Sequence, residues 1–103
     1  MTTYTPPLRD MHFVMNEVLD VPLKLAQIPA FAELDTDTIA AVLEEGGKFA
    51  TEVLLPLNSV GDRQGCTLNV TTHEVQTPAG FKQAFEQYVQ GGWPALNCDP
   101  VYG

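Results

Sequence analysis

Basic residues are scarce in this sequence. Five Lys and Arg stand against thirteen Asp and Glu, a formal net charge of −8. Residues 1–64 hold 4 basic and 10 acidic residues and 65–103 hold 1 and 3, so the two halves carry −6 and −2. A polyanion gains no counterion release from such a surface, so nucleic acids and anionic membranes are poor partners. Cysteine is limited to Cys66 and Cys98. Two cysteines are too few for a disulfide scaffold, and a Cys-x-x-Cys pair is missing. No run approaches the roughly 18 apolar residues of a membrane span. The opening MTTYTPPLRD has no apolar stretch of the signal-peptide kind. The expectation is a cytoplasmic protein with reduced thiols, no nucleic acid and no membrane.

Chemical motifs are equally sparse. His12, Cys66, His73 and Cys98 have none of the zinc spacings, so they are read as structural or incidental. Glu44 and Glu45 are adjacent, and adjacent helical side chains diverge by about 100°, so they do not share a catalytic site. Ser59 lies outside a Gly-x-Ser-x-Gly context, and Gly46-Gly47 lacks the rest of a phosphate-binding loop. Asn69-Val70-Thr71 is a formal glycosylation sequon, read here as the edge of a hairpin. The sequence therefore yields no catalytic, cofactor-binding or metal-ligating residue. An acyl-carrier reading needs a serine at a helix start behind an acidic residue. Asn58-Ser59-Val60 lies inside a helix, so that reading is set aside.

What is present is one long periodic stretch, Asp35 to Asp62. Ile39, Val42, Leu43, Gly46, Phe49, Ala50, Val53, Leu54, Leu57 and Val60 recur at steps of 3 and 1, the spacing of one helical face. Asp35 is placed to cap the helix, Asp37 suits the dipole of the first turn, and Leu34 can staple to Ile39. Glu44 and Lys48 are expected to pair at i,i+4. Gly46-Gly47 reads as a place where another element approaches closely. Pro56 removes a backbone donor and predicts a kink between Glu52 and Leu55. The helix would be about 40 Å long, against a radius of gyration of about 13 Å for a 100-residue domain. It should overhang its own domain and meet a neighbour. Ile39, Leu43, Phe49, Val53 and Leu57 are expected to be buried together against Phe81 and Phe85. Leu55 is placed on the opposite, solvent side.

Around that helix the chain reads as follows. Asp10 caps a first helix, Met11 to Leu19, with Met11, Val14, Met15 and Val18 inward. Leu23 to Ile28 makes one or two turns between Pro22 and Pro29. Gly61 and Gly65 end the long helix. Cys66 to Thr77, rich in Thr and Val, predicts a small hairpin turning at Thr71 to Glu74. Thr77-Pro78 reads as cap and first residue of another helix, with Phe81, Ala84, Phe85 and Tyr88 inward and Gly91-Gly92 as its stop. Trp93 to Leu96 is read as extended and Asn97 to Pro100 as a turn. The class is all-α, with one long kinked helix, shorter helices and a small β-hairpin.

Three separated motifs resemble acyl-CoA dehydrogenases. The run from Phe81 through Gly91-Gly92-Trp93-Pro94-Ala95-Leu96 to Asp99-Pro100-Val101-Tyr102-Gly103 resembles the end of that family's N-terminal helical region. Phe49-Ala50-Thr51-Glu52-Val53-Leu54-Leu55-Pro56-Leu57-Asn58, followed by Asp62-Arg63, looks like its first long helix. Tyr4 to Phe13 resembles the N-terminal extension of a bacterial branch acting on long-chain and sulfur-containing acyl-CoAs. The resemblance implies residues 1–34 as an extension with short helices and 35–103 as the start of the helical domain. It also implies a chain truncated before the flavin-binding and catalytic domains, whose catalytic glutamate lies downstream. FAD would belong to the intact enzyme and not to this chain alone. The partners implied are the remaining dehydrogenase domains and a homo-oligomer. The alternative is a stand-alone acidic helical interaction module, and the reading frame beyond Gly103 discriminates the two.

Overall fold

The computed structural model describes residues 3–102. It is all-helical apart from one two-stranded antiparallel sheet. The chain divides into two compact units between Leu55 and Pro56.

In the first unit, α1 (Leu8–His12) runs into a π-helical turn, Phe13–Val18, followed by α2 (Val21–Ala26). The helix begins earlier than the sequence suggests. Pro7 occupies the cap position, and Asp10 lies within the first turn instead of capping it. The expected inward set differs as well. Met11, Val14 and Val18 are exposed, while His12, Met15 and Asn16 are half-buried. A π-turn spends one extra residue on a turn, which shifts the phase of Val18 at its end. Asp20 links the π-turn to α2 in the left-handed conformation, with φ 49°. A 3-10 turn at Pro29–Phe31 then leads into α3 (Thr36–Phe49).

The start of α3 is the one the sequence dictates. Thr38 N–H donates to Asp35 Oδ1 at 2.8 Å, which satisfies one of the donors a helix start leaves open. The glycine pair also behaves as expected. A Cβ on Gly47 would lie 3.2 Å from Pro6 Cγ and 3.6 Å from Leu8 Cδ2, so the missing side chain lets α1 and the segment before it pack on α3. The charge pairing differs. Lys48 Nζ reaches Glu45 Oε1 at 3.3 Å, an i,i+3 pair, in place of Glu44.

Helical backbone continues from α3 through a π-turn at Ala50–Leu54 into α4 (Leu55–Gln64), giving one long kinked helix. The irregular turn sits just before Pro56, where the missing amide and the ring's demand for space act. Leu55 N–H donates to Ala50 O, five residues back. Thr51 Oγ1 donates to Gly47 O at 2.9 Å. Burial departs from the predicted face at two positions here. Leu55, expected in solvent, is half-buried, and Leu54, expected inside, is 47% exposed.

The second unit is built around the end of α4. Gly65, with φ 60°, closes the helix, and its N–H donates to Gly61 O at 2.9 Å. β1 (Thr67–Leu68) pairs with β2 (Val75–Gln76), with Thr67 opposite Gln76 and Leu68 opposite Val75. The last helix, α5 (Phe81–Gln90), starts later than Thr77-Pro78 suggests. Phe81 N–H donates to Pro78 O at 3.2 Å, and Gly80 has φ 88° and ψ −15°. Pro78 to Phe81 is thus a type II turn with its obligatory glycine, and Gly80 is the helix cap. Trp93 to Ala95 is a 3-10 turn, not extended: Gly92 at φ 80° reverses the chain, and Pro94 at the start of the turn suits helical φ.

Burial in this unit is concentrated at two small residues. Among the described residues only Pro78 and Ala84 are buried. The full burial expected of the long-helix face, Phe81 and Phe85 is not reached. Ile39, Leu43, Phe49, Val53 and Leu57 are each half-buried, and Phe85 is 65% exposed. Two glycines carry the close packing instead. Gly61 receives the Phe81 ring, whose Cζ lies 2.6 Å from where a Cβ would be. Gly80 receives Leu57, whose Cδ2 lies 2.7 Å from the same point.

Candidate functional site

The carboxylates that a helix could offer for acid–base chemistry lie in water. Glu44, Glu45 and Glu52 are all exposed on the long helix. Their collective effect falls on Lys48. The Glu45 hydrogen bond, and then the charges of Glu45, Glu44 and Glu52, hold its ammonium above the usual lysine range. That stabilises a cation on an acidic surface and poises no base. Asp35 is held below the ordinary carboxylate range, first by the Thr38 N–H. This is the signature of a helix cap.

The four His and Cys residues do not converge. His12 is half-buried in α1, while His73 sits in the hairpin turn with φ 62°. Cys66 and Cys98 are free and exposed. Among the described residues, no group of three or more His, Cys, Asp or Glu side chains could hold a metal ion. Ser59 is exposed on α4.

The hairpin holds a polar constellation that the sequence only half reveals. Asn69 Oδ1 accepts from Thr71 N–H at 2.9 Å and from Thr72 N–H at 3.1 Å. Asn69 N–H donates to Glu74 O at 2.9 Å, and Asn69 O accepts from His73 N–H at 2.8 Å. The sequon asparagine is thus the residue that folds the turn, since a short amide side chain can mimic a backbone acceptor. Gln64 was not singled out by pattern. Its Oε1 accepts from Ala79 N–H at 3.0 Å and ties the end of α4 to the turn before α5. No periodicity could have shown that bond, because it spans fifteen residues.

Two surface concavities flank the hairpin. One is lined by Thr67, Asn69, Glu74, Val75 and Gln76. The other is lined by Gln64, Gly65, Thr67 and Gln76 to Ala79. Neither lining includes Lys or Arg, and the first includes a carboxylate. A flavin dinucleotide needs an enclosing apolar pocket and donors or cations for its pyrophosphate. Neither of these two concavities offers that combination. No helix of the described residues is long and apolar enough to cross a membrane.

No protein-family model matches the sequence. Individual proteins do. The chain is 33% identical over 101 residues to 3-methylmercaptopropionyl-CoA dehydrogenase of Ruegeria pomeroyi, covering 98% of this chain and 17% of that protein. It is 29% identical over 103 residues to the broad-specificity linear acyl-CoA dehydrogenase FadE5 of Mycobacterium tuberculosis, covering 100% of this chain and 17% of that protein. A butyryl-CoA dehydrogenase of Syntrophomonas wolfei is 33% identical over 91 residues, covering 86% and 15%. The chain thus spans about one sixth of the length of the curated relatives it matches. Similarity to three dehydrogenases, over nearly the whole chain in each case, makes it homologous to the N-terminal region of about 100 residues in acyl-CoA dehydrogenases.

Proposed function

We propose that the chain serves as the N-terminal helical part of an FAD-dependent acyl-CoA dehydrogenase. Residues 1–34 form an extension and 35–103 the start of the helical domain. The observation that carries this reading is 33% identity maintained over 98% of the chain. In the assembled enzyme the reaction is removal of hydrogens from Cα and Cβ of an acyl-CoA thioester. FAD there would supply the hydride acceptor. No step of that reaction is assigned to a residue of this chain. Proton abstraction beside a thioester needs a positioned base and donors for the developing enolate oxygen. The carboxylates here are exposed on a helix surface. The contribution of the chain is packing, as one wall of a cavity completed by the remaining dehydrogenase domains, in a cytoplasmic homo-oligomer.

The test uses the purified chain, FAD and a series of acyl-CoAs, following flavin fluorescence and reduction of an electron-acceptor dye. The expected result is neither saturable flavin binding nor dye reduction. Micromolar flavin affinity with turnover would overturn the reading, because it would require a complete site within these 103 residues.

A further inference from the structure

The hairpin carries a patterned apolar side that is open to water. Leu68 and Val75 lie opposite each other across the two strands, so they share one side of the ribbon, and Thr67 and Gln76 share the other. An antiparallel ribbon with that alternation packs its apolar side and wets its polar one. Here Leu68 is 60% exposed and Val75 63%. The ribbon is nonetheless built in advance, because the Asn69 side chain and backbone bond Thr71, Thr72, His73 and Glu74 in the turn. In the same compact unit α5 repeats the pattern. Phe85 and Val89 lie one turn apart on one helical side and are 65% and 48% exposed. Residues 65–103 hold 1 basic and 3 acidic residues, and the centres of protein interfaces are likewise poor in charge.

The amount of open surface indicates the size of what covers it. The chain exposes 8287 Å². Two separate compact bodies of half its mass would together expose about 6,900 Å². The difference, about 1,400 Å², therefore remains however the two units are placed. A standard complex covers about 800 Å² on each partner, and permanent assemblies cover more. A second copy of this chain would bring a charge of −8 against −8. The curated relatives, by contrast, are about six times as long as the part matched here. Resting on the dehydrogenase reading above, we propose that the Leu68 and Val75 side of the hairpin and the Phe85 and Val89 side of α5 dock the rest of a dehydrogenase, the portion that follows the matched region in those relatives. The turn bonds of Asn69 hold the hairpin ready, so docking orders little that is not already ordered.

The test introduces Leu68→Cys, Val75→Cys, Phe85→Cys or Val89→Cys singly, in a background with Cys66 and Cys98 replaced by serine, and measures maleimide labelling rates. Glu45→Cys, at an exposed position on α3, is the reference. Each variant is read in the chain alone and in the chain joined to the part of the Ruegeria pomeroyi dehydrogenase that follows its matching 101 residues. Four positions on two elements keep the result readable if one variant misfolds. In the chain alone all four thiols should label like the reference at every protein concentration. In the joined protein they should slow at least about tenfold while the reference keeps its rate, as expected of groups that react only on local opening. A joined protein that holds flavin but leaves the four thiols open, or slows the reference equally, overturns the docking surface and leaves the dehydrogenase reading standing. A joined protein that holds no flavin overturns that reading and the docking surface with it. Slowing in the chain alone as its concentration rises would make the occupant a second copy, which also overturns the proposal.

Discussion

Gly80→Ala should be one of the more costly single-methyl additions in this protein, and its cost can be separated into two parts. The backbone at Gly80 has φ 88°, where a Cβ meets the following carbonyl. That conformation costs an alanine about 1–2 kcal/mol. The new methyl would also lie 2.7 Å from Leu57 Cδ2, too close for contact, so Leu57 must leave its position. Overpacking of that kind costs about 1–3 kcal/mol. The smaller freedom of alanine in the unfolded chain returns about 0.4–1 kcal/mol. The net expectation is a loss of about 1–5 kcal/mol, centred near 3. Gly65→Ala is the control. It has φ 60° and nothing within 4 Å of its Cβ position, so only the backbone part applies. That leaves a net loss of about 1 kcal/mol. Urea melts followed by Trp93 fluorescence report on the same unit as both glycines. In a Leu57→Ala background the excess cost of Gly80→Ala should shrink, because the displaced side chain is gone. Equal costs for the two glycines, or an excess that survives Leu57→Ala, would refute the packing argument.

Three other outcomes follow from the same reasoning. Asp35 has a depressed folded pKa, so its ionised form contributes stability above the ordinary value of 3.8 that is lost as pH falls through the folded pKa. Asp35→Asn should keep the cap and abolish this acid-side dependence, whereas Asp35→Ala should lose helix content at every pH, both readable by circular dichroism. His73→Gly should stabilise the hairpin by up to about 1 kcal/mol, since a left-handed histidine is strained and glycine is not. A destabilisation in thermal melts would assign His73 a contact that outweighs the strain. Ala84→Leu should cost about 1–3 kcal/mol as an overpacked buried site. Phe85→Ser, at an exposed position, should stay within about 0.5 kcal/mol, and the reverse ranking in denaturant would restore Phe85 to the core.

Local chemistry was legible in the residues themselves. The Asp35 cap, the closure of the long helix at Gly65, the close approach at Gly47 and the hairpin between Cys66 and Thr77 each depend on a few neighbouring residues. Their causes are written in short windows: a side-chain acceptor before a helix, a glycine after it, alternating Thr and Val. The resemblance of three ordered motifs to acyl-CoA dehydrogenases was legible in the same way, and homology bears it out. A shared sequence pattern survives even where most of a site lies elsewhere. The candidate carboxylates were equally plain, since charged residues on one helical side remain in water without any tertiary argument.

The phase of the helices was decided by the tertiary structure. A period of 3.6 residues is assumed when a face is read from sequence, and a single π-turn breaks it. The chain has π-turns at Phe13–Val18 and Ala50–Leu54, and around them Val14 is exposed and Leu55, not Leu54, is half-buried. Phe85 fails for a different reason. The spacing of Phe81, Ala84, Phe85 and Tyr88 defines a stripe, but not which part of it a neighbour covers. The contact chosen is the narrow one, through Ala84 and the glycines that admit Phe81 and Leu57. The bond between Gln64 and Ala79 has the same character. Sequence determined the start of the long helix at Asp35, the stops at Gly65 and Gly91 and what the chain is related to, because those are local or inherited properties. Which residues face inward depended on how backbone irregularities and small residues let the elements meet, and that is settled only when they pack.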